Sequence, residues 1–234
     1  MRLLFLAVLL LASGDLRAKP ITGSPLLPLP WKAPAGAREL LNGNDLVGWA
    51  PVYASPCENT QQCWNISNGM LHLSGKPTGY LRTVESYAKF HLHAEWRWTG
   101  ATKSGVNNSG IFIFVQEPDK VWPTSIQVQV KEGSSGDLIA LGEMKFPQDC
   151  AGPIITKFEP SNEKSTGEWN SADIFCRPSS QSNGGKKDNS TSIDVFINGL
   201  HQNHLEMTSL EPGSIALQSE GSPVDFRNLW IQQP

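Results

Sequence analysis

What most constrains this chain is a succession of short runs in which apolar and polar residues alternate, each closed by Gly, Pro, Asn or Ser. They are GMLHLSG, YLRTV, FHLHAEWRW, GIFIFV, SIQVQV, DLIAL, ADIFC, SIDVFING, SIALQSEG and FRNLWIQ. Successive side chains of a strand point to opposite faces, so a period of two turns one face to a core and the other away from it. In FHLHAEWRW, Phe90, Leu92, Ala94, Trp96 and Trp98 share one side, and His91, His93, Glu95 and Arg97 the other. No amphipathic helix competes with this pattern between Arg38 and Pro234, and about ten strands at such spacing predict an all-β, two-sheet antiparallel sandwich.

The polar phase of the strands carries more than a fold class. In SIQVQV, Ser125, Gln127 and Gln129 oppose Ile126, Val128 and Val130, and in SIALQSE, Ala216, Gln218 and Glu220 oppose Ile215 and Leu217. If the apolar faces meet in the core, the outer face of one sheet carries His93, Glu95, Arg97, Gln127, Gln129 and Gln218. Solvated faces are usually rich in Lys, Thr and Ser, whereas these side chains suit the planar, paired hydrogen bonding that sugar hydroxyls require. A concave, carbohydrate-binding sheet is the expectation. Trp96 and Trp98 lie in the apolar phase and read as core, while Trp122 and Trp169 stand at strand entrances, where stacking on a sugar competes with packing.

The N-terminus, MRLLFLAVLLLASGDLRAKP, joins one Arg to an apolar run from Leu3 to Ala12 and then to small residues. That is the form of a secretory signal peptide over residues 1–18, the apolar run being about half the length a membrane-spanning helix needs. Residues 19–37 carry Pro20, Pro25, Pro28, Pro30 and Pro34 and predict an extended linker, which places the folded domain at 38–234. Ser180 to Ser192 reads as a polar hairpin tip. A secreted or periplasmic chain can keep disulfides, and Cys57 with Cys63, then Cys150 with Cys176, is the expected pairing. With 19 basic and 22 acidic residues the net charge is -3, which gives no footprint for nucleic acid or an anionic membrane surface. A neutral, polar partner is expected.

Common catalytic signatures are absent: no GxSxG, no HExxH, no GxxxxGK[ST], and no GxGxxG after a strand. Sandwich glucanases often place acid and nucleophile in an ExDxxE strand, yet EPDKVW, from Glu117, has Trp122 where the second Glu would stand. Instead ELLNGNDLVGW, WNISNGMLHLSG, GYLRT, YAKFHLHAEWRW, VNNSGIFIFV, WPTSIQVQVKEGSSGD, SNEKSTGEWN, FINGLHQN and GSIALQSEGSPVDFRNLWIQ, in that order, resemble the 3-keto-disaccharide hydrolase domain family over nearly all of Arg38 to Pro234. The resemblance implies a concanavalin A-like jelly roll, bacterial export, and cleavage of glycosides already oxidised at C3.

A C3 ketone acidifies the hydrogen on C2, so a base can remove it and the C1 substituent can leave before water adds. Such an enzyme needs a base, an acid and a positive group near the ketone oxygen. The face of FHLHAEWRW is expected to supply them, with His93 or Glu95 as base or acid and Arg97 beside the oxyanion. A divalent metal on His93 and Glu95 is the alternative to Arg97, and a structural Glu95–Arg97 ion pair is the alternative to any catalytic role. By position the resemblance adds Asn108, Glu163, Lys164, Glu168 and Trp169 to Gln127, Gln129, Gln218 and Glu220 as substrate-binding residues, and Arg227 and Asn228 as structural ones. Two positions depart from the family: Gln127 stands where it usually has Glu, and Ser165 where it has Pro. Because an amide exchanges no proton, Gln127 favours the alternative reading, a non-catalytic carbohydrate-binding module.

Overall fold

The structure, a computed structural model, describes residues 33–57, 59, 63–100, 105–179 and 190–234. The expected signal peptide, the linker up to residue 32 and residues 180–189 of the polar loop lie outside them. Among the described residues fifteen strands, all paired antiparallel, form two sheets, and each of the ten runs quoted above supplies one.

The first sheet holds β1 (Arg38–Glu39), β3 (Trp64–Ser67), β4 (Met70–Leu73), β6 (Phe90–Trp98), β11 (Asn170–Pro178), β12 (Thr191–Ile197), β13 (Leu200–Met207) and β15 (Val224–Gln232). Its order is β13-β12-β11-β6-β15-β4-β3, with β1 also on β15. The second holds β2 (Trp49–Tyr53), β5 (Gly79–Thr83), β7 (Gly110–Val115), β8 (Ser125–Gln129), β9 (Leu138–Leu141), β10 (Ile154–Ile155) and β14 (Ser214–Ser219), in the order β10-β9-β8-β7-β14-β5-β2. Two Asn-Gly turns close hairpins: Asn68 and Gly69 join β3 to β4, and Asn198 and Gly199 join β12 to β13. All four residues have positive φ, the geometry that matches the twist of the flanking strands and that Asn and Gly adopt at least cost.

The apolar phases meet between the sheets. Phe90, Leu92, Ala94, Trp96 and Trp98 of β6 share one core with Ile111 and Ile113 of β7, Ile126 and Val128 of β8, and Ile215 and Leu217 of β14. Each such buried aliphatic or Phe side chain contributes about 1.5–3 kcal/mol relative to exposure. The same alternation turns His91, His93, Glu95 and Arg97 to the outer face of the first sheet, and Gln127, Gln129 and Gln218 to the outer face of the second. The single polar face expected from the sequence is therefore two faces on opposite sides of the molecule, because β6 pairs with β11 and β15 while β8 and β14 flank β7.

Cys57 and Cys63 form the expected disulfide. Cys150 and Cys176 do not: both are free thiols, Cys176 wholly enclosed in the core on β11 and Cys150 half-buried before β10.

Candidate functional site

On the outer face of the first sheet, strand register sets charges opposite one another. Asp173 of β11 and Trp230 of β15 flank His93, Arg227 faces Glu95, and Asp225 stands between Arg97 and His72 of β4. The contacts follow. His93 Nδ1 bonds Asp173 Oδ1 at 3.0 Å, the same oxygen that His91 Nε2 reaches at 2.8 Å, and the Trp230 ring stacks on the His93 ring at 5.0 Å. Arg227 Nε donates to Glu95 Oε2 at 2.6 Å and Asn228 Nδ2 to Oε1 at 3.0 Å. Arg97 donates twice to Asp225 Oδ2, at 2.9 and 2.8 Å. His201 and His204 share Asp194 Oδ1, so all five histidines of the chain are bonded to carboxylates of this sheet.

Titration follows from that geometry. Burial alone would drive the proton from His93, but Asp173 and then Glu95 outweigh it and raise the imidazole to about 9. Glu95 opposes its own burial through His93, Asn228 and Arg227 and is lowered to about 2. Its Oε1 lies 3.8 Å from His93 Nε2, an ion-pair separation beyond hydrogen-bond reach, so the attraction there is charge alone.

His93, Glu95 and Arg97 each bond a different partner across the strands, while His93 Nε2 and Asp173 Oδ2 are buried without a hydrogen-bond partner among the described residues. Glu95 pairs with Arg227 and Asn228, not with Arg97. Both Glu95 oxygens accept from these two residues, whereas His93 Nε2, 3.8 Å from Glu95 Oε1, has no hydrogen-bond partner among the described residues. Among the described residues no group of three His, Cys, Asp or Glu is placed to hold a metal ion. Trp169 lies beneath the guanidinium carbons of Arg227 at 3.9 Å and Arg97 at 4.7 Å, which makes its ring a cation-π partner on this face. Glu163, Lys164 and Glu168 order loops: Glu163 Oε1 accepts from the Gly133 and Ser135 amides, Lys164 Nζ donates to the Trp169 carbonyl, and Glu168 Oε2 accepts from the Ser165 amide.

The outer face of the second sheet is built differently. One end is apolar: Tyr80, Phe112, Val115 and Ala216 pack together, with Val52 and Leu141 against them. Arg82 grips Asp119 at 2.7 and 3.0 Å there, tying the β7–β8 connection to β5. Trp122 of that connection is exposed. The other end is a row of amides. Gln129 Oε1 accepts from the main-chain amides of Val130 and Lys131 at 3.1 and 3.0 Å, and from Gln127 Nε2 at 3.2 Å. Gln127 Nε2 also faces Gln218 Oε1 at 3.5 Å, and Gln218 Nε2 donates to Glu220 Oε2 at 2.7 Å. Asn108 Nδ2 donates to that same oxygen at 2.8 Å.

The three glutamines are buried and Asn108 and Glu220 half-buried, so polarity opens outward along the row. Gly110 sits under the row, where an added Cβ would fall 2.6 Å from Gln127 Nε2. Burial pushes the Glu220 carboxyl up, beyond what Gln218, the Lys131 charge and Asn108 pull down. Asn108 Oδ1 is buried with no partner among the described residues. The structure therefore brings Asn108, Gln127, Gln129, Gln218 and Glu220 together and separates them from His93, Glu95, Arg97 and Trp169. Lys131 is the addition, an exposed lysine that no sequence pattern singles out. A cleft of about 400 Å³, lined in part by Arg38, Trp49, Val84, Glu85 and Tyr87, holds none of the expected site residues, and Arg38 there is engaged by Glu85 and Tyr87.

Residues 36–232 match the family model described as the 3-keto-alpha-glucoside-1,2-lyase-like domain. The chain belongs to that family. The 3-keto-alpha-glucoside-1,2-lyase-like domain accordingly accounts for almost the whole described chain. Two crystal structures of inferred glycosyl hydrolases from Parabacteroides distasonis share its fold. One has a TM-score of 0.57 at 24% identity, covering 87% of this chain and 86% of that one. The other has a TM-score of 0.60 at 19% identity, covering 85% and 94%. A β-glucanase from Bacillus licheniformis has the same concanavalin A-like architecture, with a TM-score of 0.53 at 10% identity over 85% of this chain and 99% of that one. No curated protein matches the chain.

Proposed function

We propose that this chain is an exported enzyme that cleaves glycosides already oxidised to a ketone at C3, and that it does so at the amide-lined end of the second sheet. The observation that carries the reading is Asn108 beside Glu220: a buried carbonyl oxygen without a donor, next to a carboxylate held only by neutral amides. An unfilled acceptor beside an orientable carboxylate suits a sugar ring, whose hydroxyls supply donors and whose C2–H supplies a proton. The family supports the substrate class, and the leader expected from the sequence supports export.

Lys131, near enough to act on the Glu220 charge, provides positive potential where negative charge would develop on the ketone oxygen. The test is release of p-nitrophenol from p-nitrophenyl 3-keto-α-glucoside against the unoxidised glucoside. Turnover of the ketone alone is expected; equal rates on both would refute the C3 requirement. Gln127, which cannot exchange a proton, favours a second reading as a non-catalytic carbohydrate-binding module. Saturable sugar binding with no turnover would select it.

A further inference from the structure

Resting on that reading of the second sheet, we infer that Glu220 is the proton-transferring group, acting through Oε1, and that Gln129, Gln127 and Gln218 are positioning residues that aim it. Two of the carboxylate's neighbours converge on one oxygen: Gln218 Nε2 and Asn108 Nδ2 both donate to Oε2, while Oε1 has no hydrogen-bond partner among the described residues. The first-sheet carboxylates are bound otherwise. Glu95, Asp173, Asp194 and Asp225 all face Arg or His. Neutral amides orient a carboxylate without neutralising it, and they leave its basicity for a substrate.

Each amide of the row has a set orientation, and the backbone fixes it. Two main-chain N–H groups fix which end of Gln129 is oxygen. Gln127 must therefore turn its NH2 towards that oxygen, and the same NH2 faces the Gln218 oxygen. Gln218 is then left with its NH2 towards Glu220. The link across β7 exists because Gly110 has no side chain to fill the space that Gln127 occupies. On this account Gln127 is not a base that has been lost. It is the donor to both neighbouring glutamine oxygens, a task that a carboxylate cannot perform.

The step balances without any further reagent. Glu220 Oε1 takes the proton from C2, the C2–H electron pair becomes the C1=C2 bond, and the C1–O bond breaks with its pair on the departing oxygen. That oxygen receives the proton from Glu220, which regenerates the carboxylate and leaves an unsaturated 3-keto sugar and a free alcohol. Water can then add across C1=C2.

The test uses the mature protein with p-nitrophenyl 3-keto-α-glucoside, comparing Glu220→Gln, Glu220→Asp and Gln127→Glu. Loss of a general acid–base group costs about 10²–10⁴ in kcat, so Glu220→Gln is expected to lose at least about a hundredfold with KM little changed and to lose the acidic limb of the pH–rate profile. Glu220→Asp should recover part of the rate, which separates chemistry from folding. Gln127→Glu should lower kcat by reversing Gln218, although it restores the residue the family usually has. A Glu220→Gln rate within about threefold of wild type with the acidic limb intact overturns the assignment, since the contribution expected of such a group is far larger. A rise in kcat for Gln127→Glu overturns the positioning role of the amides. A wild type that binds but never turns over the substrate removes the proposed function itself, before any variant is compared.

Discussion

The two outer faces of this sandwich are written in the same alternating code and come out as different objects. On the first sheet, Asp173, Glu95, Asp225 and Asp194 each meet Arg or His directly or diagonally across the strands, so charge is consumed internally. On the second, Gln127 donates to Gln129 on one side and faces the Gln218 oxygen on the other, and Gln218 donates to a single half-buried carboxylate. A polar strand face is therefore not yet a site. What decides is whether its groups complete one another or leave capacity for something else.

The largest effect expected from breaking that contrast is at Asp173, which is 1% exposed and accepts from two histidines. Removing one partner of a buried ion pair costs about 3–5 kcal/mol, because the remaining charge is left uncompensated. Asp173→Ala should lose stability of that order in urea unfolding. Its dependence on pH should change as well. With His93 raised from 6.5 to about 9, the wild type keeps that contribution below pH 6.5 and loses it as pH climbs towards 9. With Glu95 lowered from 4.5 to about 2, its contribution is present above pH 4.5 and lost as pH falls towards 2. Asp173→Ala should flatten the alkaline loss and retain most of the acidic one; an unchanged alkaline limb would show that His93 is not held charged by Asp173.

The second face is broken more gently, at Gly110. Its missing side chain is what lets Gln127 lie across β7, and an added methyl must displace the amide. Overpacking of this kind costs about 1–3 kcal/mol. Gly110→Ala is expected to lose stability in that range and also to lose activity, whereas Asp173→Ala should spare turnover per folded molecule. Thermal unfolding and p-nitrophenol release on the same preparations separate the two faces; equal activity losses in both variants would mean that the faces are not independent.

How far the sequence reveals this depends on distance along the chain. Alternation in β6, β8 and β14 reports which side chains share a strand face, and Trp96, Trp98, Gln127 and Gln129 lie where that period puts them. It does not report which strands are neighbours. His93 and Asp173 are 80 residues apart, as are many other pairs of similar chemistry, and only the β6–β11 register makes them partners. For the same reason Glu95 and Arg97, adjacent in the alternation, look like a pair, although Arg227 and Asp225 claim them separately. The short Cys57–Cys63 loop was legible because closing it needs no knowledge of topology. Cys150 and Cys176 were not, because pairing by elimination ignores that Cys176 points into the core. The orientation of the amide row was hidden altogether, since it rests on the Val130 and Lys131 main-chain amides.

The smallest expected effect is the one that most sharply divides the faces. Arg97 makes two short bonds to Asp225, but about a third of its side chain is exposed. Solvent screening keeps such pairs near 0–1 kcal/mol, and His72 Nδ1, at 2.5 Å from the other Asp225 oxygen, remains to compensate that carboxylate. Arg97→Gln should therefore lose no more than about 1 kcal/mol and leave turnover within about twofold of wild type, whereas removal of one oxyanion donor costs about 10²–10³ in kcat. A fall of that size in Arg97→Gln would move the chemistry to the first sheet. A near-silent result beside an inactive Glu220→Gln would fix it on the second, because Arg97 is committed to Asp225 whereas Glu220 Oε1 has no hydrogen-bond partner among the described residues.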